Sequence, residues 1–270
     1  MRHIITAKNI IEGTSIDDVP SPLLSTEIAT EMIITRLRAI EMLNEGQIHR
    51  SDTIVTRRDR FCLYENLFDN VIDYKEFLDP TIEKDEVIDL VLQLYTLCTD
   101  IRYKPFYQRY EKDRLQLENI EYNDLLKKEL DPFICILIRK RAAWSEKNLP
   151  DEYWIGLIEE MKKNGYKTYV FGKETSDIPC DVNVTSFQDW CSLLANRTCK
   201  SIVSTCSGGV YPVFFNKRTD NKLIVIDDNG LTALHNGDPS FYGDCINFNR
   251  TDVRVFPYIP KYDQIIKACQ

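Results

Sequence analysis

Residues 133–138 read FICILI, six apolar positions with no polar break. A run of that length suits a strand. Its lack of alternation means that both faces are covered, as in the middle of a parallel sheet packed between helices. The residues that follow keep to this plan. A charged loop leads into a helix over 151–164, opened by Pro-Asp-Glu-Tyr-Trp and stopped by Asn164-Gly165. KTYVF at 167–171 is a strand, and DVNVT at 181–185 is a shorter one. Residues 186–195 form a helix with Ser186 as its cap and Phe187, Trp190, Leu193 and Leu194 turned inward. Strands follow at 201–205, 222–227 and 253–256, and a helix from about Pro260 completes the pattern.

The first half alternates as well, less cleanly. HIITA at 3–7, TIVT at 53–56 and NVIDY at 70–74 are short strands. Between the first two, Ile28, Met32, Ile33, Leu37, Ile40 and Leu43 mark one apolar stripe of a helix over 26–45, capped by Ser25 or Thr26 and ended by Gly46. Residues 57–68 read as helical. From 83 to 130 the spacing of Val87, Leu90, Val91, Leu94 and Tyr95 is helical, and no strand stands out. Asp131-Pro132 marks a boundary, because proline ends a helix. The expected fold class is α/β: two Rossmann-like β/α/β domains facing a cleft, 1–130 and 131–255, with a helix in 256–270 packing back on the first domain. Ligands of such sheets bind outside the carboxyl ends of the strands.

Composition narrows the function. The chain has 270 residues, 43% of them hydrophobic, which suffices for one large core or two ordinary ones. A formal net charge of −8 and a pI near 5.1 argue against nucleic acid and anionic membranes as general partners. No apolar run approaches the roughly 20 residues of a membrane span, and MRHIITAKNIIEG is too polar for a signal peptide. Nine scattered cysteines form no CxxC pair, and the three histidines are isolated. This pattern fits neither a zinc site nor a disulfide scaffold, and it points to a reducing, cytoplasmic compartment.

Two features meet at the strand ends of the second half. Arg139, Lys140 and Arg141 come directly after FICILI, where charge either solvates a loop or meets an anion. SIVSTCSGGVYPVFF at 201–215 runs from a strand through a turn of small residues into an apolar stretch. Such a turn presents hydroxyls and backbone N–H groups to a phosphate. Cationic side chains and this turn on one sheet edge suit a diphosphate. Gly172 and Lys173, and the corner at Ser186 and Phe187, are candidates for the ribose and base.

ICILIRKRAAWSEKNLPDEYWIGLIEEMKKNGYKTYVFGK together with SFQDWCSLLANRTCKSIVSTCSGGVYPVFF resembles the donor domain of GT-B glycosyltransferases, in particular heptosyltransferase-like and fucosyltransferase-like members. The resemblance covers roughly residues 133–228. It implies that Arg139 grips the donor diphosphate, with Arg141 nearby, and that Ser204, Thr205, Ser207, Gly208 and Gly209 form the phosphate turn. The turn carries neither the Asp nor the His of the heptosyltransferase pattern. The implied activity is inverting, metal-independent transfer of a sugar from a UDP-, GDP- or ADP-linked donor to a glycan or other hydroxyl acceptor. No cofactor is implied beyond the nucleotide sugar as co-substrate. Inversion needs a general base; the candidates in the long loop after the first strand are Glu12, Asp17 and Asp18, and Asp17 and Asp18 are preferred. Two other readings stay open: a non-catalytic nucleotide-sugar-binding protein, and a sugar-nucleotide epimerase on the same frame.

Overall fold

The structure is a computed structural model and describes residues 2–6, 35–90, 130–140, 148–172, 177–205, 213, 220–226, 253–257 and 259–270. The chain divides into two compact units, Met1–Glu121 and Tyr122–Gln270.

In the first unit the described elements are β1 (Arg2–Ile5), α1 (Arg36–Asn44), β2 (Thr53–Thr56), a 3-10 helix (Arg58–Leu63), β3 (Asn70–Asp73), α2 (Tyr74–Phe77) and β4 (Glu86–Asp89). The four strands are parallel in the order β3-β2-β1-β4, and His3 of β1 lies opposite Thr53 on one side and Val87 on the other. Ile5, Val55, Tyr74 and Phe77 cluster in its core. Gly46 ends α1 as the sequence indicates. At φ 70° its N–H reaches the Leu43 carbonyl and that of Gln47 reaches Met42, the paired bonds of a Schellman stop. Two expectations are corrected. Residues 86–89, read as part of a helical stripe, form the edge strand β4. Of the helix expected over 57–68, the regular part is a single 3-10 stretch. It is held from outside by Arg36, whose fully buried guanidinium donates to the Leu63 carbonyl and to Asn66 Oδ1. Burial in this region pushes the Cys62 thiol up to about 12, so it behaves as a small apolar group.

The second unit holds β5 (Phe133–Leu137), α3 (Asp151–Lys163), β6 (Lys167–Phe171), β7 (Val182–Val184), α4 (Phe187–Ala195), β8 (Cys199–Thr205), β9 (Lys222–Ile226), β10 (Val253–Phe256) and α5 (Tyr262–Cys269). All six strands are parallel, in the order β7-β6-β5-β8-β9-β10. Numbered within the sheet this is 3-2-1-4-5-6, the order of dinucleotide-binding folds. Every residue of β5 is buried, as its unbroken apolar run requires. One face of β5 presents Ile134, Ile136 and Ile138 to Trp154, Leu157, Ile158 and Met161 of α3 and to Ile265 and Ile266 of α5. The first turn of α3 carries Asp151 and Glu152 and its last turn Lys162 and Lys163, which matches the helix dipole. Gly165, at φ 80°, closes it with the same paired bonds as Gly46 closes α1. The sequence reading has a helix in 256–270 packing back on the first domain. The buried face of α5 lies instead in the second unit's core, and the Tyr153 hydroxyl donates to the Pro260 carbonyl at 3.0 Å just before it.

Candidate functional site

The strand order of the second sheet reverses between β5 and β8. From β5 the chain steps to β6 and β7 on one side, then returns across to β8, β9 and β10 on the other. The carboxyl ends of β5 and β8 therefore mark the topological switch point, the place where ligands of such sheets bind. Leu137 pairs with Ser204 across this boundary. Arg139 stands two residues past Leu137, and Thr205 is the last residue of β8. The pairing thus brings Arg139, Ser204 and Thr205 to one edge, at the switch point.

Arg139 is 7% exposed, and its Nη1 donates to Asn148 Oδ1. Asn148 lies two residues before Pro150, the residue that precedes α3, and Leu149 between them is buried in the core. Lys140 is half-exposed, and its Nζ donates to Asp151 Oδ2 at 2.6 Å. Ser204 donates its hydroxyl to the Thr205 carbonyl at 2.6 Å. Thr205 is 1% exposed, and its hydroxyl has no hydrogen-bond partner among the described residues. A buried hydroxyl left in that state costs free energy, and a ligand oxygen at the strand end would relieve it.

Gly172 follows β6 on the same edge and is partly buried. At the corner of residues 186–187 the structure gives both side chains a local role. The Ser186 hydroxyl accepts from the Asp189 N–H at 3.3 Å and so caps α4. Phe187 is 2% exposed, with its ring 6.4 Å from Phe171, which itself stacks on Trp190 at 5.1 Å. These rings form the packing between α4 and the sheet, and Phe187 has no free face to offer a base. Arg141, Lys173, Ser207, Gly208 and Gly209 lie outside the described residues, and so do Asp17 and Asp18.

In the first unit the strand ends carry a group that the sequence reading passes over. Thr6, after β1, donates to the hydroxyl of Thr56 at the end of β2 (3.1 Å), and its oxygen lies 2.5 Å from the hydroxyl of Tyr74, just past β3. All three are buried. Three polar side chains at, or one position past, the carboxyl ends of their strands are the signal that could have found them. Arg57 grips Asp59 through two bonds of 3.0 and 3.1 Å, and Asp73 accepts the backbone N–H groups of Arg58 and Lys75 at 2.9 Å each. No described helix is long and apolar enough to cross a membrane.

No family model and no curated protein matches the chain in sequence. Solved structures match it in fold. The ADP-heptose LPS heptosyltransferase II of E. coli is 10% identical, with 99% of this chain and 96% of that one covered and a TM-score of 0.54. A glycosyl transferase family 9 protein from Veillonella parvula DSM 2008 (13%, 99% and 95% covered, TM-score 0.49) and the E. coli heptosyltransferase WaaC with ADP (13%, 99% and 96% covered, TM-score 0.48) align less closely. With its two parallel α/β sheets and the switch point of the second, this chain has a heptosyltransferase-like GT-B fold.

Proposed function

We propose that this protein is a glycosyltransferase that moves a sugar from a nucleotide-diphosphate donor to a hydroxyl acceptor. The observation that carries the reading is the meeting of buried Arg139 with Ser204 and the unpartnered Thr205 hydroxyl at the β5/β8 switch point. It is supported by the fold shared with a protein whose own name is ADP-heptose heptosyltransferase. In this reading Arg139 holds the diphosphate and neutralises the charge that grows on it as the glycosidic bond breaks. Thr205, with the turn at Ser207, Gly208 and Gly209, donates to the phosphate oxygens. Gly172, Arg141 and Lys173 are proposed to contact the rest of the donor. Transfer is inverting: the acceptor oxygen attacks the sugar's anomeric carbon opposite the leaving diphosphate, and Asp17 or Asp18 takes its proton. No metal takes part, and positive side chains do the neutralising.

The test is calorimetry with ADP, UDP, GDP and CDP, followed by transfer assays with the matching sugar donor. Arg139→Ala is expected to weaken nucleoside diphosphate binding by about 10- to 100-fold, as loss of a charge-assisted contact does. Unchanged affinity sinks the diphosphate assignment. Full kcat in both Asp17→Asn and Asp18→Asn moves the base elsewhere. Activity abolished by EDTA and restored by Mn²⁺ excludes the metal-independent route.

A further inference from the structure

The carboxyl ends of β1 and β2 are joined by buried hydroxyls. Thr6, one residue past β1, donates to Thr56 Oγ1 at the end of β2. That bond uses its single hydrogen, so in the 2.5 Å contact with Tyr74 the phenol donates to Thr6 Oγ1. Tyr74 follows β3, which lies on the far side of β2, and its ring packs with Ile5, Val55 and Phe77 on the way to β1. Thr6, Thr56 and Tyr74 are 1%, 0% and 1% exposed.

A core that needed only stability could hold valine and phenylalanine here, because apolar replacement of both partners of a buried hydrogen bond at constant shape is close to neutral. What the hydroxyls add is direction. Apolar contacts are non-directional, whereas hydrogen bonds fix distance and angle, and a satisfied buried network selects one arrangement. The two ends of the sheet differ in this respect. At the amino ends Arg2 meets Glu86 at 3.1 Å and Asp52 at 3.6 Å, partly exposed ion pairs of the kind that hold weakly. At the carboxyl ends, where ligands of such sheets bind, the network is buried, and the Thr6 N–H adds a bond to the Val55 carbonyl at 3.2 Å. Asp73 carries this order sideways: by accepting the N–H groups of Arg58 and Lys75 it joins the segment after β2 to the start of α2.

From this placement we infer that Thr6, Thr56 and Tyr74 are positioning residues for the acceptor half of glycosyl transfer: their network fixes the points at which the segments carrying Asp17 and Asp18, and Arg57 and Arg58, leave β1 and β2. This rests on the glycosyltransferase reading above. Buried as they are, the three residues act through those segments.

The experiment compares the full chain with Thr6→Val, Thr6→Ser, Tyr74→Phe and the triple variant Thr6→Val, Thr56→Val, Tyr74→Phe. Each is tested for melting temperature and for binding of ADP, UDP, GDP and CDP. Release of nucleoside diphosphate from ADP-glucose, UDP-glucose and GDP-mannose is followed with water as the acceptor. Hydrogen exchange is read on peptides covering residues 2–6, 53–63 and 74–77. Thr6→Val and the triple variant are expected to keep nucleotide affinity within about twofold, because the donor groups lie in the other unit. Exchange in the three peptides is expected to rise about tenfold while that of β5 and β8 stays unchanged. The kcat of release is expected to fall by about 10- to 100-fold with the KM for donor unchanged. Thr6→Ser, which keeps a hydroxyl, is expected to recover part of that loss. A merely structural network would lower the melting temperature and leave the kcat of the folded protein at its wild-type value. If Thr6→Val and the triple variant keep wild-type exchange and kcat, the positioning role is overturned and the glycosyltransferase reading stands. If Thr6→Val fails to fold, the triple variant decides, and its failure to fold as well overturns the role. If wild type binds a nucleotide but releases none from the three donors, exchange decides: faster exchange confined to the three peptides upholds the role, and wild-type exchange overturns it. If wild type binds none of the four nucleotides, both readings fall.

Discussion

Thr205 ends β8 with a buried hydroxyl that has no partner among the described residues. Valine has nearly the same shape and nothing to leave unpaired. Thr205→Val is therefore expected to stabilise the fold by about 1 kcal/mol, read as a rise in melting temperature, while nucleoside diphosphate affinity falls several-fold. A variant that loses both would mean that the hydroxyl serves the fold. Arg139 is legible in the sequence because a charged residue directly after an unbroken apolar run marks the carboxyl end of that strand, and Thr205 because it ends β8 just before the run of small residues from Cys206 to Gly209. Asn148 is not legible in the same way. Its hydrogen bond with Arg139 joins residues nine positions apart, and in sequence it is one polar residue in a charged loop. Phe187 is turned into the packing of α4 on the sheet, and Ser186 caps that helix. The helical pattern already assigns them these places, a cap and an inward ring.

Among the elements, helix stops were the easiest to read. Gly46 and Gly165 adopt positive φ where a non-glycine residue is strained, so the sequence marks both ends closely. β4 escaped notice because an edge strand of four residues owes its existence to β1, more than 80 positions away, and its own local spacing mimics a helix. The packing of α5 on α3 is similarly hidden. A Cβ at Gly156 would lie 2.8 Å from Cζ of Tyr262, and the Tyr153 and Tyr262 rings are 5.2 Å apart. Gly156→Ala is expected to lower stability by up to about 2 kcal/mol, overpacking outweighing the alanine's better helix propensity. In a Tyr262→Ala background the same change should become neutral or stabilising. A double-mutant cycle by denaturant unfolding measures this coupling, and additive effects would refute the close packing.

For the whole molecule, alternation of strand and helix reveals the class, but the order of strands is a long-range fact. The reversal that puts β8 beside β5 is not written in any local run. It comes from which apolar faces helices can cover together and from the handedness of the crossovers. The second unit carries its own sheet, core and switch point. A fragment of residues 122–270 is thus expected to fold and bind nucleoside diphosphate with affinity within about threefold of the full chain, while transferring no sugar. Calorimetry and a transfer assay on the fragment check both halves, and a fragment that folds without binding would assign part of the donor site to residues 1–121. The place of α5 also bears on how the protein is made. Synthesis reaches residues 262–269 after every strand of the second sheet. Until they clear the ribosome, the apolar face that α5 covers on α3 and β9 stays open to chaperones and proteases. A message cut short before codon 262 would yield a nearly complete sheet that cellular quality control treats as misfolded.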